Sequence, residues 1–254
     1  ADRYREGRVF LAGDSVHLVI PTGGLGMNTG VGDSFDLAWK LIGTLKGWGG
    51  PELLDSYEIE RRQIGDRNVG ASRYANVGRQ KWRSIATDEI FDGTDAGELI
   101  KRHLIQVADS EQRKGNRMIG AELGYRYVDS PCIDNIPGGP EHRVGKYNPN
   151  VWPGSRLPHC WLDDGSALQD QLPETYILLS LGKKSLDTSK LRQSYEKIGA
   201  PVTEVRIESN RLRDLYGFDF LILRPDMHVV WRGNDAPQNP QEIASISTGH
   251  GRLD

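Results

Sequence analysis

An α/β fold in two units is what this sequence predicts, on three observations. A short apolar run, Val9 to Ala12, passes through Gly13 and Asp14 into five glycines between Gly23 and Gly32, and then into a helical pattern. Residues 131–160 are dense in proline and glycine. Beyond them, strand-like and helix-like stretches alternate almost to residue 254. The expected division is a first unit over 1–130, a linker over 131–160 and a second unit over 161–254.

The elements follow in order. Val9 to Ala12, bounded by Gly7 and Gly13, reads as a strand buried on both faces of a parallel sheet. Val31, Phe35, Ala38, Ile42 and Leu45 recur at spacings of four and three, which predicts the buried face of a helix starting near Asn28 and Thr29. "KGWGG" stops it, and Pro51 suits the first turn of a second helix over 51–65. Residues 69–118 read as helical, with an apolar stripe at Leu99, Ile100, Leu104 and Val107. "GYRYVDS" at 124–130 alternates as a strand does.

In the second unit, 175–181 is a buried strand, 188–200 a helix with a glycine stop, and 202–207 an alternating strand. Residues 220–232 read as two strands joined at Pro225-Asp226-Met227, and Asn239-Pro240 opens a terminal helix. Strand, helix, strand, hairpin, helix is the order of a thioredoxin-like domain.

Composition removes several function classes. The net charge is −3, with acids and bases interspersed and no basic stripe, so nucleic acid is not an expected partner. No apolar run approaches membrane-spanning length, and no secretory leader is seen. Cys132 and Cys160 lie too far apart for a CxxC pair, so a reducing cytoplasm is the expected compartment. "GRVFLAGD" near the start reads as the middle of an α/β domain, which predicts a C-terminal piece of a longer protein. His142, His159, His228 and His250 show no metal-ligand spacing. His17 is expected to make a structural hydrogen bond to backbone, and Glu60-Arg61-Arg62 to be a solvated face.

One stretch carries chemistry. An acid at the carboxyl end of a parallel strand, here Asp14, points into the crevice where α/β sheets bind ligands. The helix start offers unpaired N–H groups that favour negative charge. Gly23, Gly24 and Gly26 let the backbone approach a flat ligand closely. A hydroxylated chain on one side and an electron-rich ring edge on the other are what this arrangement can hold. A flavin with its ribityl tail has both.

"GRVFLAGDSVH…PTGGLGMNTGVGDSFDLAWKL" resembles the second flavin-binding motif of the FAD-dependent aromatic hydroxylases, the para-hydroxybenzoate hydroxylase class of flavoprotein monooxygenases. It is most similar to the phenol-hydroxylase-like members that carry a C-terminal thioredoxin-like domain. The likeness is strong over residues 7–65 and weaker over "PGSRLPHCWLDDGSALQD" and "LILRPDMHVVWRG". It implies the C-terminal portion of a Rossmann-like FAD-binding domain, following helices, and then the thioredoxin-like unit. By that resemblance Gly13 and Asp14 hold the ribityl chain, Pro21 sits near flavin and substrate, and Gly26, Met27 and Asn28 bind the pyrimidine edge, with Gly24 in the same loop. Asp33 belongs to helix packing.

The family reaction uses FAD, NAD(P)H as reductant and O2 to hydroxylate an aromatic, usually phenolic, small molecule. A homodimer is one assembly it allows. The resemblance supplies no catalytic base and no metal in this chain. Three departures stand out: Ile20 where the family often has a further proline, Asp36 where it commonly has Asn, and Ser15 and Val16 in place of small alanines. Two alternatives remain at this stage. One is a flavoenzyme performing epoxidation, Baeyer–Villiger or oxidative decarboxylation chemistry on a polycyclic metabolite. The other is a non-catalytic folding or dimerisation module.

Overall fold

The computed structural model describes residues 1–182 and 184–253. It opens with a two-residue ribbon, β1 (Arg5–Glu6) and β2 (Val9–Phe10), paired antiparallel. The buried parallel strand expected over Val9 to Ala12 is therefore corrected. Val9 is exposed, and β2's one strand partner among the described residues is β1. A strand without parallel neighbours satisfies its backbone by folding back on the residues just before it.

Helix α1 (Leu25–Leu45) begins one turn earlier than the sequence suggests, capped by Gly24 in the left-handed region (φ 69). Its burial is inverted relative to expectation. Val31, Phe35, Ile42 and Leu45 are 61, 53, 49 and 85% exposed, and Ala38 is exposed as well. Asp33, Asp36, Lys40 and Gly43 are buried instead. The polar face packs on α2 (Pro51–Ile85), where Asp33 meets Arg61 and Lys40 is shared by Asp36 and Glu60.

Helix α2 runs unbroken through Gly65, where the sequence reading placed a stop. That glycine serves a close approach: a Cβ there would lie 2.0 Å from the Tyr4 hydroxyl. After a short 3-10 turn, α3 (Asp95–Asn116) packs along α2, its N-terminus capped by the Thr94 hydroxyl accepting from Gly97 N–H at 3.1 Å. Of the stripe expected there, Leu99 is exposed and Ile100, Leu104 and Val107 are half-buried. Helix α4 (Ile119–Leu123) follows. Residues 124–130 form no strand in the described structure; Arg126 makes an isolated bridge to Ser155, and the Tyr127 N–H donates to Gly154 O.

The last part is a four-stranded sheet in the order β4-β3-β5-β6, from β3 (Tyr176–Ser180), β4 (Val202–Arg206), β5 (Phe220–Leu223) and β6 (Val229–Gly233). β3 and β4 are parallel; β5 runs antiparallel to β3 and β6. Helices α5 (Ser189–Ile198), α6 (Asn210–Tyr216) and α7 (Pro240–Ser247) complete it. Gly199 stops α5 in the left-handed region (φ 82). Helix α6 has no counterpart in the sequence reading; its signal is Ser209, whose hydroxyl caps Leu212 N–H.

Alternation along the strands builds two cores. Tyr176, Leu178, Phe220, Ile222 and Val230 face one way and meet Tyr195, Ile243 and, from the first half of the chain, Trp39, Trp48 and Leu53. Ile177, Leu179, Leu221, Leu223 and Val229 face the other way, onto Leu157, Leu168, Leu212 and Tyr216. The first core joins the two halves of the molecule. Residues 154–157 run beside the start of β6, with Val229 N–H donating to Ser155 O at 2.9 Å and Leu157 N–H to Met227 O at 2.9 Å.

Candidate functional site

The site grows from a five-residue turn. Gly13 adopts φ 61, a conformation that favours glycine, and its carbonyl accepts from both Val16 N–H and His17 N–H at 3.0 Å. Asp14 stands exposed on the outside of this turn. The turn lies directly on α1, because a Cβ on Gly30 would come within 3.1 Å of the Gly13 Cα. Val19 packs beside Gly26 in the same way, and Gly24 N–H donates to Pro21 O at 3.2 Å.

Gly23 (φ 96) and Gly24 (φ 69) turn the chain into the helix. No side chain caps that N-terminus, and the first-turn N–H groups have no intrahelical acceptor. Asn28, expected at the helix start, instead ends the first turn and returns its Nδ2–H to Gly24 O at 3.0 Å. Asp14, Pro21, Gly24, Met27 and Asn28 are exposed, while Gly13 and Gly26 are half-buried. The surface thus combines an open carboxylate with aligned backbone donors. These residues fit a polyhydroxylated chain next to an electron-rich ring edge.

Beneath the turn lies a buried network that sequence reasoning missed. Asp33 Oδ2 accepts from Gly13 N–H at 3.0 Å and lies 2.6 Å from His17 Nε2; Asp33 Oδ1 accepts from Arg61 Nε at 2.8 Å. Arg61 also donates to the Tyr127 hydroxyl and to Thr29 O, each at 3.1 Å. Burial alone would raise the Asp33 carboxyl. The His17 hydrogen bond and the Arg61 charge outweigh it and hold the group below the usual carboxylate range. His17 therefore bonds a carboxylate rather than backbone. Glu60 and Arg61, expected on a solvated face, are buried; only Arg62 of that triplet is exposed.

A second buried cluster adjoins the first. Lys40 Nζ donates to Asp36 at 2.7 Å and to Glu60 at 2.6 Å. Arg224, between β5 and β6, donates to Glu60, Asp226 and Asp36, and lies 5.1 Å over Trp39 and 5.2 Å over Tyr127. The signal for both clusters was present as the i, i+3, i+7 spacing of Asp33, Asp36 and Lys40. A cavity of about 410 Å³ opens beside Pro21, Thr22 and Gly23, lined across from them by Arg79, Trp82 and Asn116. Among the described residues no group of His, Cys, Asp and Glu could hold a metal ion, and no helix is long and apolar enough to cross a membrane.

Comparison with known proteins adds the following. Residues 1–72 match the FAD binding domain family, and residues 150–248 match the aromatic-ring hydroxylase C-terminal family. The chain is 32% identical over 94% of its length to the FAD-dependent monooxygenase apdD of Emericella nidulans, covering 40% of that protein. It is 28% identical over 95% of its length to a phenol 2-monooxygenase of Pseudomonas sp., covering 45% of it. It superposes on the rebeccamycin biosynthetic enzyme RebC with reduced flavin with a TM-score of 0.85 at 31% identity, over 98% of this chain and 46% of that one. The chain spans less than half the length of these curated relatives.

Proposed function

We propose, for a chain that belongs to the FAD-dependent aromatic hydroxylases, that the whole protein is a flavin-dependent monooxygenase hydroxylating an aromatic or phenolic substrate with NAD(P)H and O2. The observation that carries this is the uncapped N-terminus of α1 together with the exposed carboxylate of Asp14, on a turn that lies against Gly30 of the same helix. Asp14 would accept hydrogen bonds from the ribityl hydroxyls, with Gly13 allowing their approach. Gly26, Met27 and Asn28 would turn backbone N–H groups to the pyrimidine edge, with Pro21 and Gly24 flanking the ring. FAD supplies the redox chemistry that delivers one oxygen atom of O2 to the substrate ring.

The chain's own share is binding, orientation and charge. The dipole of the 21-residue helix favours negative charge at its N-terminus. The cavity beside Pro21 would take the substrate edge, and Trp82 gives it an aromatic wall. The C-terminal sheet, with its parallel β3–β4 pair, antiparallel β5–β6 hairpin and flanking helices, supports a thioredoxin-like unit. A cytoplasmic location and a homodimer are consistent with this reading. Epoxidation or Baeyer–Villiger oxidation of a polycyclic metabolite is a second reading; the likeness to RebC, a rebeccamycin biosynthetic enzyme, supports only a biosynthetic setting for it.

The test is made on the complete reading frame. Stoichiometric FAD, substrate-stimulated NAD(P)H oxidation and isotopically labelled O2 appearing as a ring hydroxyl are the expected results. A protein that purifies without flavin and gains none on titration would overturn the proposal. Label found in an epoxide or ester oxygen would favour the second reading.

A further inference from the structure

We infer that Asp33 is the positioning residue of the flavin site: its carboxylate, gripped by Arg61 and His17, fixes the Gly13–His17 turn on helix α1 and so sets where Asp14 stands relative to the helix N-terminus. The inference rests on the flavin reading given above. Among the described residues the Asp14 carboxylate has no hydrogen-bond partner, so its place follows from the backbone turn alone. That turn is held at both ends. Gly13 N–H donates to Asp33 Oδ2 at 3.0 Å, and the His17 ring reaches the same oxygen at 2.6 Å. Between these anchors, the Gly13 carbonyl takes the His17 N–H at 3.0 Å and closes the loop.

The grip is specific to a carboxylate. Asp33 receives Gly13 N–H, His17 Nε2 and Arg61 Nε on two oxygens and is asked to donate nothing. An amide at this position would set its own N–H₂ against one of those donors. Arg61 extends the grip to the other partner of the site, since its second nitrogen donates to Thr29 O in the helix just after Asn28. One carboxylate, itself fully buried, thus ties the exposed acid and the first turns of the helix into a single frame.

The experiment titrates FAD into the deflavinated full-length protein and its variants Asp14→Ala, Asp33→Asn and their double, with His17→Leu and His17→Gln alongside. Asp33→Asn is expected to weaken FAD binding about tenfold or more, the scale of one lost charge-assisted hydrogen bond. Because Asp33 acts through Asp14, the double variant should bind FAD within about twofold of Asp14→Ala alone. His17→Leu should weaken binding, and His17→Gln, which keeps a donor, should recover most of it. The His17 pair carries the test should Asp33→Asn fail to fold. Wild-type affinity in both Asp33→Asn and His17→Leu would overturn the inference. So would a double variant whose loss is the full product of the two single losses, since that marks two independent effects. Failure of the flavin reading looks different: the wild type binds no FAD, or Asp14→Ala has no effect, and the inference then falls with it.

Discussion

Lys40 and Arg224 are surrounded by three carboxylates, Asp36, Glu60 and Asp226, all of them buried. His228, 3.1 Å from Asp226, is held toward its neutral form by burial, so three acids face two fixed cations and a proton on a carboxyl resolves the excess. Burial, together with Glu60 and Asp226, pushes the Asp36 carboxyl up to about 7 against the pull of Lys40 and Arg224. Glu60 is carried the other way, to about 2, because Arg224 and Lys40 outweigh its burial. Unfolded, Asp36 titrates near 3.8, so folding takes up a proton between that value and about 7. Its contribution is complete below the lower value and is lost as pH rises through the upper one. Asp36→Asn should therefore gain in melting temperature relative to wild type as pH is raised from 5 to 8. A difference that stays flat across that range would refute the protonated Asp36. The same burial governs Cys132, whose thiol is pushed up to about 12. With Cys132 and Cys160 both free and buried, the C-terminal part of the chain should show no dithiol activity in an insulin-reduction assay.

Two glycines of α2 look alike in sequence and do opposite things. Gly65 admits the Tyr4 hydroxyl, whereas Gly70 has open space where a Cβ would go and lies exposed. Gly70→Ala should stabilise the protein by about 0.5–1 kcal/mol through helix propensity. Gly65→Ala should destabilise it, since Tyr4 must leave its place against Tyr57 and His17. Urea midpoints moving in opposite directions are the expected readout. Helix α1 makes the same point through its faces. Its apolar stripe was legible at spacings of four and three, but the stripe is exposed and the acidic and basic face is buried. Periodicity marks a face as distinct; it does not say which neighbour that face meets.

The two halves of the chain share one core, because Trp39, Trp48 and Leu53 pack on the same sheet face as Tyr176 and Phe220. Arg224 pins that junction from the C-terminal side, donating to Glu60 of α2 and Asp36 of α1. Removing it leaves buried carboxylates without their cation, a change that costs about 3–5 kcal/mol in comparable sites. Arg224→Met should accordingly lower the denaturation midpoint of the whole chain in one transition. Arg224→Lys should recover only part of the loss, since an ammonium cannot reproduce the paired contacts that the planar guanidinium makes to both Glu60 and Asp226. Two separated transitions in Arg224→Met, with the C-terminal one unchanged, would show that the halves are not joined there.

The sequence by itself determined what is local. Tyr176–Ser180, Val202–Arg206 and the hairpin strands Phe220–Leu223 and Val229–Gly233 lie where an apolar run, alternation and the turn at Pro225-Asp226-Met227 put them, Pro240 opens α7, and Gly199 closes α5, because propensity, alternation and turn chemistry act over a few residues. The glycine-rich entry to α1 was readable for the same reason. Only the tertiary structure decided which face of α1 is buried, that α2 continues through Gly65, and that Glu60 and Arg61 lie inside. Those outcomes depend on partners 28 to 164 residues away, Asp33 for Arg61 and Arg224 for Glu60. A buried charge is stable only beside its counter-charge, and no local pattern records where the fold will bring that counter-charge.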